Sequence, residues 1–376
     1  MKRRVFALLM ATAMSVTLFA GCGARGGSNS GTTTTGSGST SSGDAEYVIK
    51  IAHTDSDTRS TNTCGEWLND YLQEKTGGKV KVEMYPNGQL GDDPDLAAGV
   101  KLGTVTMYFG LASVISSIVG DKASCVDLPF LYSSYDEWVK GTFDNGGLDL
   151  FNEALEGSGY TCLDMMYNGM RCVASRDKIY HNAADLKGQK IRISQNDLNV
   201  AIWQAMGANP TPMAWGEVIT SLSQGTVDAL DHSLGVFNDF KIYEIAPYIT
   251  ITNHCSSPYP LVCSTDWLNS LPDDIRAAVE DGVHQMCAKQ REEERANELE
   301  YIKTFEGAGA TVYELNDAEI AAFKESVKPV YDMWRQKVGD DVINAWLATV
   351  PKADSSASGS TATTSTTTAT TTADKK

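Results

Sequence analysis

Apolar positions along the chain change their period in step with turn residues, and the changes mark out elements. Glu46 to Thr54 is an apolar-rich run that predicts a strand passing from sheet edge to core. From Thr61 to Lys75, Trp67, Leu68, Tyr71 and Leu72 recur at helical spacing until Gly77-Gly78 stops them. Lys79 to Tyr85 alternates strictly, as a half-buried strand does, and ends at Pro86-Asn87-Gly88. Strand, helix and strand in this order predict parallel pairing with helices as cover.

Two later stretches repeat one theme. Asp95 to Leu102 reads as a helix closed by Gly103, with a strand from Thr104 to Phe109; Glu217 to Gln224 reads as a helix closed by Gly225, with a strand from Thr226 to Leu230. One such unit in each half of the body predicts two similar α/β lobes. In open α/β sheets ligands sit beyond the carboxyl ends of strands. That makes Gly110 to Ser113 and Asp231-His232-Ser233 the candidate cleft walls. Pro272 to about Phe305 reads as one helix, long enough to lie across both lobes, with Arg291 to Arg295 on a solvated face. Asn316 and Glu319 form a capping-box start for a helix through Trp334, and Asp340 to Leu347 closes the fold.

The two ends of the chain have a different composition. Met1-Lys2-Arg3-Arg4 followed by apolar Val5 to Ala20 reads as an export signal, residues 1–21. Leu18-Phe19-Ala20-Gly21-Cys22 resembles the bacterial lipoprotein box, which implies that Cys22 carries a lipid anchor; Phe19 departs from the Leu usual three positions before that Cys. Residues 22–45 then read as the anchored Cys plus a flexible Gly/Ser/Thr linker, and residues 353–376 as a disordered Ser/Thr-rich tail.

Charge and cysteine use narrow the function classes. With 31 Lys+Arg against 48 Asp+Glu the formal charge is −17, a surface that repels phosphate backbones, so no nucleic-acid partner is expected. Seven cysteines beyond Cys22 are irregularly spaced and contain no C-x-x-C, which argues against zinc and for buried, apolar-like thiols, with one or two disulfides as the alternative. P-loop, G-x-S-x-G and H-E-x-x-H motifs are missing from the body, and its five histidines lie far apart. Neither a metal nor a cofactor is expected, nor an enzyme activity.

One stretch points to chemistry. Asp185-Leu186-Lys187-Gly188 turns into Gln189-Lys190-Ile191-Arg192-Ile193, a short strand. Period-2 alternation allows Lys190 and Arg192 to share a wet face. Alternatively Arg192 is buried and awaits an anion, since a guanidinium is costly to bury without one.

A set of motifs in order bears on that choice: Tyr85 to Asp92, Asp127 to Phe130, Tyr167-Asn168-Gly169-Met170-Arg171, Asp185 to Ile193, Gly207 to Glu217, Gln224 to Asp228 and Leu271-Pro272. Over about residues 46 to 350 the chain resembles the solute receptors of tripartite ATP-independent periplasmic (TRAP) transporters, the dicarboxylate-binding-protein family. The resemblance implies a two-lobe periplasmic-binding-protein-like α/β fold of type II, with a long helix crossing both lobes. It also implies a small organic carboxylate, a C4-dicarboxylate or a sugar acid, passed to TRAP-type membrane permease subunits. On its pattern the lobes are residues 46–168 with 257–297, and 169–256 with 298–352. Arg192 would clamp the carboxylate, Arg171 would be a second ligand-facing arginine and Trp215 an apolar wall. Asn168 belongs to the same constellation. Asp231-His232 stands where the family commonly has Glu-Asn, and the residue near Leu111 weighs against an amino-sugar acid such as sialate. His53 and Thr54, at the end of the first strand, are further candidate contacts, as is His254 nearer the hinge. Asp92 and Asp93 either cap a helix or meet ligand hydroxyls. A ligand-presenting sensor lipoprotein and a secreted hydrolase are the alternative functions.

Overall fold

A computed structural model describes residues 45–352; the export signal, Cys22, the linker up to residue 44 and the tail from residue 353 lie outside the described residues. Ten strands run in the order β1 (Tyr47–Ala52), β2 (Val80–Tyr85), β3 (Met107–Phe109), β4 (Tyr160–Ser175), β5 (Lys190–Ile193), β6 (Asn209–Pro212), β7 (Ala229–Ser233), β8 (Tyr248–Ile251), β9 (Ser256–Ser264) and β10 (Thr311–Glu314). The first lobe's sheet has the order β2-β1-β3-β9-β4, with β1 parallel to both β2 and β3. In the second lobe β4 continues into β4-β7-β5-β6, and β8, carrying β10, lies on the other side of β4.

Strand β4 is what makes two lobes out of one sheet. From Tyr160 to Met170 it pairs antiparallel with β9; from Arg171 to Ser175 it pairs with β7 instead. The ladder is irregular between Tyr167 and Met170, where Gly169 adopts φ +95°. An L side chain is strained in that region, so the crossing point uses the residue that is not.

The long helix, Asp273–Gly307, reinforces the crossing. Its Val279, Val283 and Met286 belong to the first lobe's core, and its Phe305 to the second's, beside Ile249. Midway, Gln290 accepts from the Tyr167 N–H (2.9 Å) and donates to the Tyr167 carbonyl (2.8 Å). Both backbone groups freed where β4 leaves its ladder are thereby satisfied. The helix α1 (Ser60–Thr76) packs Leu68 and Leu72 under β1 and β2, while α2 (Asp93–Leu102) and α3 (Ala112–Val119) lead into and away from β3.

Two local expectations are corrected. Thr104–Thr106 and Thr226–Asp228 are irregular, so the strands after Gly103 and Gly225 start later, at Met107 and Ala229. The helix drawn from Asn316 through Trp334 is two, Asp317–Ser326 and Lys328–Val338, with Pro329 in the first turn of the second. The C-terminal helices touch both lobes: in the second, His181 Nδ1 lies 2.9 Å from Glu319 and Lys337 Nζ 3.2 Å from Asp197, while in the first Trp334 Nε1 donates to Ser124 Oγ (2.8 Å) and Asn145 Nδ2 donates to the Thr349 carbonyl (2.7 Å). The first-lobe contacts span about half the chain, beyond the reach of a linear boundary. All seven described cysteines are buried and unpaired.

Candidate functional site

Between the lobes lies a cavity with about 590 Å³ of atom-free space, part of it continuous with solvent. The lobes meet around it. Ser113 and Ser194 hydroxyls are 2.9 Å apart, Asn196 Nδ2 donates to Ser116 Oγ (2.8 Å), and the Gly216 N–H donates to Asp92 Oδ2 (3.3 Å).

Arg192 reaches this cavity from β5. The strand is flanked by β6 and β7 and buries Ile191, Arg192 and Ile193 while leaving Lys190 exposed. Of the two readings of this strand the structure thus has the buried one: Arg192 is 2% exposed. Its Nε (3.2 Å) and Nη2 (2.7 Å) donate to the Met213 carbonyl, and its buried Nη1 has no partner among the described residues. Among the described residues no carboxylate pairs with it. Desolvation first, and the charge of Arg171 second, push its pKa down to about 10, a sign of a cation short of compensation.

Trp215 and His232 complete this side. The guanidinium carbon lies 5.4 Å from the Trp215 ring centroid, within cation–π range, and Trp215 also meets His232 (5.3 Å) and Phe240 (4.8 Å) edge-on. His232 Nδ1 accepts the Ser233 N–H (2.9 Å), which places the ring proton on Nε2. Desolvation, then Arg171 and Arg192, hold its pKa well below the usual histidine value, so the ring is a neutral donor.

The first lobe supplies acids and hydroxyls. Thr54 and Asp93 line the cavity, and Thr54 Oγ1 donates to Asp93 Oδ1 (3.1 Å), as does the Tyr108 hydroxyl (3.1 Å). Asp92 caps α2 by accepting the Asp93 N–H (2.9 Å). Asp55, also in the wall, pairs with Arg59 (3.0 Å) and accepts from Thr61 (2.8 Å) and Tyr259 (3.3 Å).

Five of the candidates lie behind the wall. Arg171 is 3% exposed, and its Nε is 2.9 Å from Asp231 Oδ1, while its Nη2 donates to the Asp231 carbonyl (2.9 Å). Asp231 further accepts from Trp203 Nε1 (2.8 Å). The reason is the sheet's alternation: Arg171 and Asp231 lie on the face that carries Ile191 and Ile193, whereas Arg192 and His232 point to the other. Asn168 is fully buried, accepting from Arg59 Nη2 (2.6 Å) and Ser233 Oγ (3.2 Å). His53 stacks on Phe109 at 4.4 Å and meets Asn62 Oδ1 at 3.1 Å. His254, 3.5 Å from Asp231, belongs to the same buried group as Arg171.

Residues 51–337 match the model of the bacterial extracellular solute-binding protein family 7, DctP. The chain belongs to that family. This solute-binding protein is 29% identical over 304 residues to the 2,3-diketo-L-gulonate-binding periplasmic protein YiaO of Escherichia coli (strain K12), covering 80% of this chain and 92% of the relative. It is 28% identical over 309 residues to the C4-dicarboxylate-binding periplasmic protein DctP of Vibrio cholerae, covering 82% and 92%. Among solved structures it resembles the sugar acid binding protein DctPAm of Advenella mimigardefordensis in complex with galactonate (TM-score 0.77, 25% identity, 82% of this chain and 99% of that one). A TRAP periplasmic solute-binding protein of Sulfurospirillum deleyianum with bound succinate is similar at TM-score 0.75 and 25% identity, over 81% of this chain and 99% of that one. The two-lobe fold, the extracytoplasmic solute-binding role and the placing among TRAP receptors follow from this membership, and the family is one of receptors, not enzymes. The hydrolase alternative is set aside on that ground.

Sequence reasoning missed Asp55, Arg59 and Tyr259. The Asp55-Arg59 pair had a signal, opposite charges four apart at the head of a helix; Tyr259 had none, because β9 reaches the cavity only through its pairing with β3 and β4.

Proposed function

We propose that this solute-binding protein captures a small organic carboxylate, a C4-dicarboxylate or a sugar acid, between its lobes and hands it to TRAP-type membrane permease subunits. The observation that carries the reading is Arg192: buried, without a carboxylate partner, its Nη1 unsatisfied, in the wall of the interlobe cavity. A ligand carboxylate would supply the missing charge through a charge-assisted bond of roughly 1.5–3 kcal/mol. His232 Nε2–H and the Thr54 hydroxyl would add polar contacts and Trp215 an apolar wall. Arg171, Asp231 and Asn168 would act as positioning residues, bracing β7 and the β4 crossing. His53 would shape the end of β1. Succinate in the Sulfurospirillum protein and galactonate in the Advenella protein illustrate the ligand class among relatives.

A ligand touching both lobes stabilises the closed arrangement by its differential contacts, and the permease would read that arrangement. Lipid attachment at Cys22 would keep the receptor at the membrane.

A thermal-shift screen against organic acids tests the reading. An acid at 100 times its Kd should stabilise the protein by about 2.7 kcal/mol. A panel of C4-dicarboxylates and sugar acids that leaves the melting curve unmoved would refute it.

A further inference from the structure

Asp93 differs from the other acids of the cavity. Both oxygens of Asp55 are taken by Arg59, Thr61 and Tyr259, and both oxygens of Asp92 hold backbone N–H groups, of Asp93 and of Gly216. Asp93 uses Oδ1 for Thr54 and Tyr108, whereas Oδ2 has no partner among the described residues. No ion pair to Asp93 occurs among them either, and it lines the same cavity as Arg192 from the opposite lobe. Burial, followed by the charge of Asp92, raises its carboxyl to about 7. One wall therefore offers an unmatched cation and the other an unmatched acceptor.

We propose that the cavity selects a monocarboxylate bearing hydroxyl groups at its far end, with Asp93 Oδ2 accepting from those hydroxyls, over a dicarboxylate. This rests on the carboxylate reading above. A second carboxylate would meet Asp93 and Asp92 with no guanidinium to compensate it, because Arg59 is already committed to Asp55 and Glu294. Like charges brought together out of water repel strongly. A terminal hydroxyl instead donates to Asp93 and leaves the charge count of the site unchanged. An ammonium is a poorer match: Asp93 is already hydrogen-bonded by two hydroxyls, and an ammonium costs more than a hydroxyl to take out of water.

Matched acids differing in one group test this by titration calorimetry on the purified protein at pH 8. D-Erythronate and meso-tartrate differ only in CH2OH against carboxylate at C4, as D-galactonate and galactarate do at C6, and 4-aminobutyrate carries an ammonium. In at least one pair the hydroxy acid should bind at least about tenfold more tightly than its diacid. Asp93→Asn should narrow that gap to about threefold or less, since the amide keeps an acceptor but removes the charge. Equal or tighter binding of both diacids, a gap unchanged in Asp93→Asn, or 4-aminobutyrate as the tightest ligand would overturn the selectivity while leaving a carboxylate receptor. Binding of none of these acids, or binding that survives Arg192→Ala unchanged, would overturn the carboxylate reading and this inference with it.

Discussion

Arg171 on β4 and Arg192 on β5 belong to one sheet, with β7 between them, and stand on opposite faces of it, and only one of them is neutralised. Arg171 is locked to Asp231 at 2.9 Å, whereas Arg192 has no acid and spends two donors on a carbonyl. The first is built for the fold and the second for something that arrives later. Their substitutions should therefore separate cleanly.

Arg171→Ala strands Asp231, which is 1% exposed and whose carboxyl Arg171 and His254 hold below its usual range against desolvation. Breaking one half of a buried pair costs about 3–5 kcal/mol. Urea unfolding should show that loss. Removing both partners together, as Arg171→Met with Asp231→Leu, should cost clearly less than the single change. A single variant as stable as the parent would show that the pair carries no structural load.

Stability should also respond to pH through Asp127, buried against Arg171, Asp231 and Cys255. Desolvation raises its carboxyl from 3.8 to about 7, partly offset by Arg171. The folded state keeps a proton that the unfolded chain releases, so this group lowers stability progressively as pH rises from about 4 to about 7. Asp127→Asn removes that dependence. Relative to the parent, the variant should gain more stability at pH 8 than at pH 5 in urea titrations. An equal difference at both pH values would contradict the assignment.

A third test concerns the joint between the lobes. Arg59 Nη1 meets Asp55, and its Nη2 meets Glu294 (3.0 Å) on the long helix and Asn168 (2.6 Å) on β4, so one guanidinium ties the first lobe's loop to both crossing elements. Gly235 leaves the room for it: a Cβ there would run into Glu294 and Arg59 Nη2. Gly235→Ala should destabilise by about 1–3 kcal/mol through overpacking. The same variant should also weaken ligand binding, because it displaces the joint that ties the first lobe's loop to both crossing elements. Unchanged melting and unchanged affinity would show that the contact yields without consequence.

Much of this architecture is legible in the sequence, and the boundary of legibility is physical. The helix through Trp67, Leu68, Tyr71 and Leu72, strand β2 and the long helix follow from period, because each buries one face over part of its length: Leu68 and Leu72, then Val80 and Val82, then Ile275, Val279, Val283 and Met286. Thr104 and Val105 are strand-like in type and predict a longer β3, yet their N–H groups bond back to Gly99 to end α2. That Arg192 is buried could be asked of the sequence but not answered, since Lys190 and Arg192 alternate alike whether the strand is central or at an edge. The arginines needed register: which face Arg171 takes depends on its pairing with Ser233, 62 residues away. For Asp93 the helix-start role is local and legible, while its place as an acceptor depends on Thr54 and Tyr108, 39 and 15 residues distant.

The most direct test of the central claim is a paired measurement on the parent and Arg192→Ala: titration calorimetry with the acid that stabilises the parent most, alongside the melting curve without ligand. The expected result is binding lost by about a hundredfold, as for a charge-assisted bond near the upper end of ~1.5–3 kcal/mol, with ligand-free melting nearly unchanged, because Arg192 anchors no buried acid. Undiminished affinity in the variant, or a variant that no longer folds, would contradict the assignment of Arg192 as the ligand's anchor.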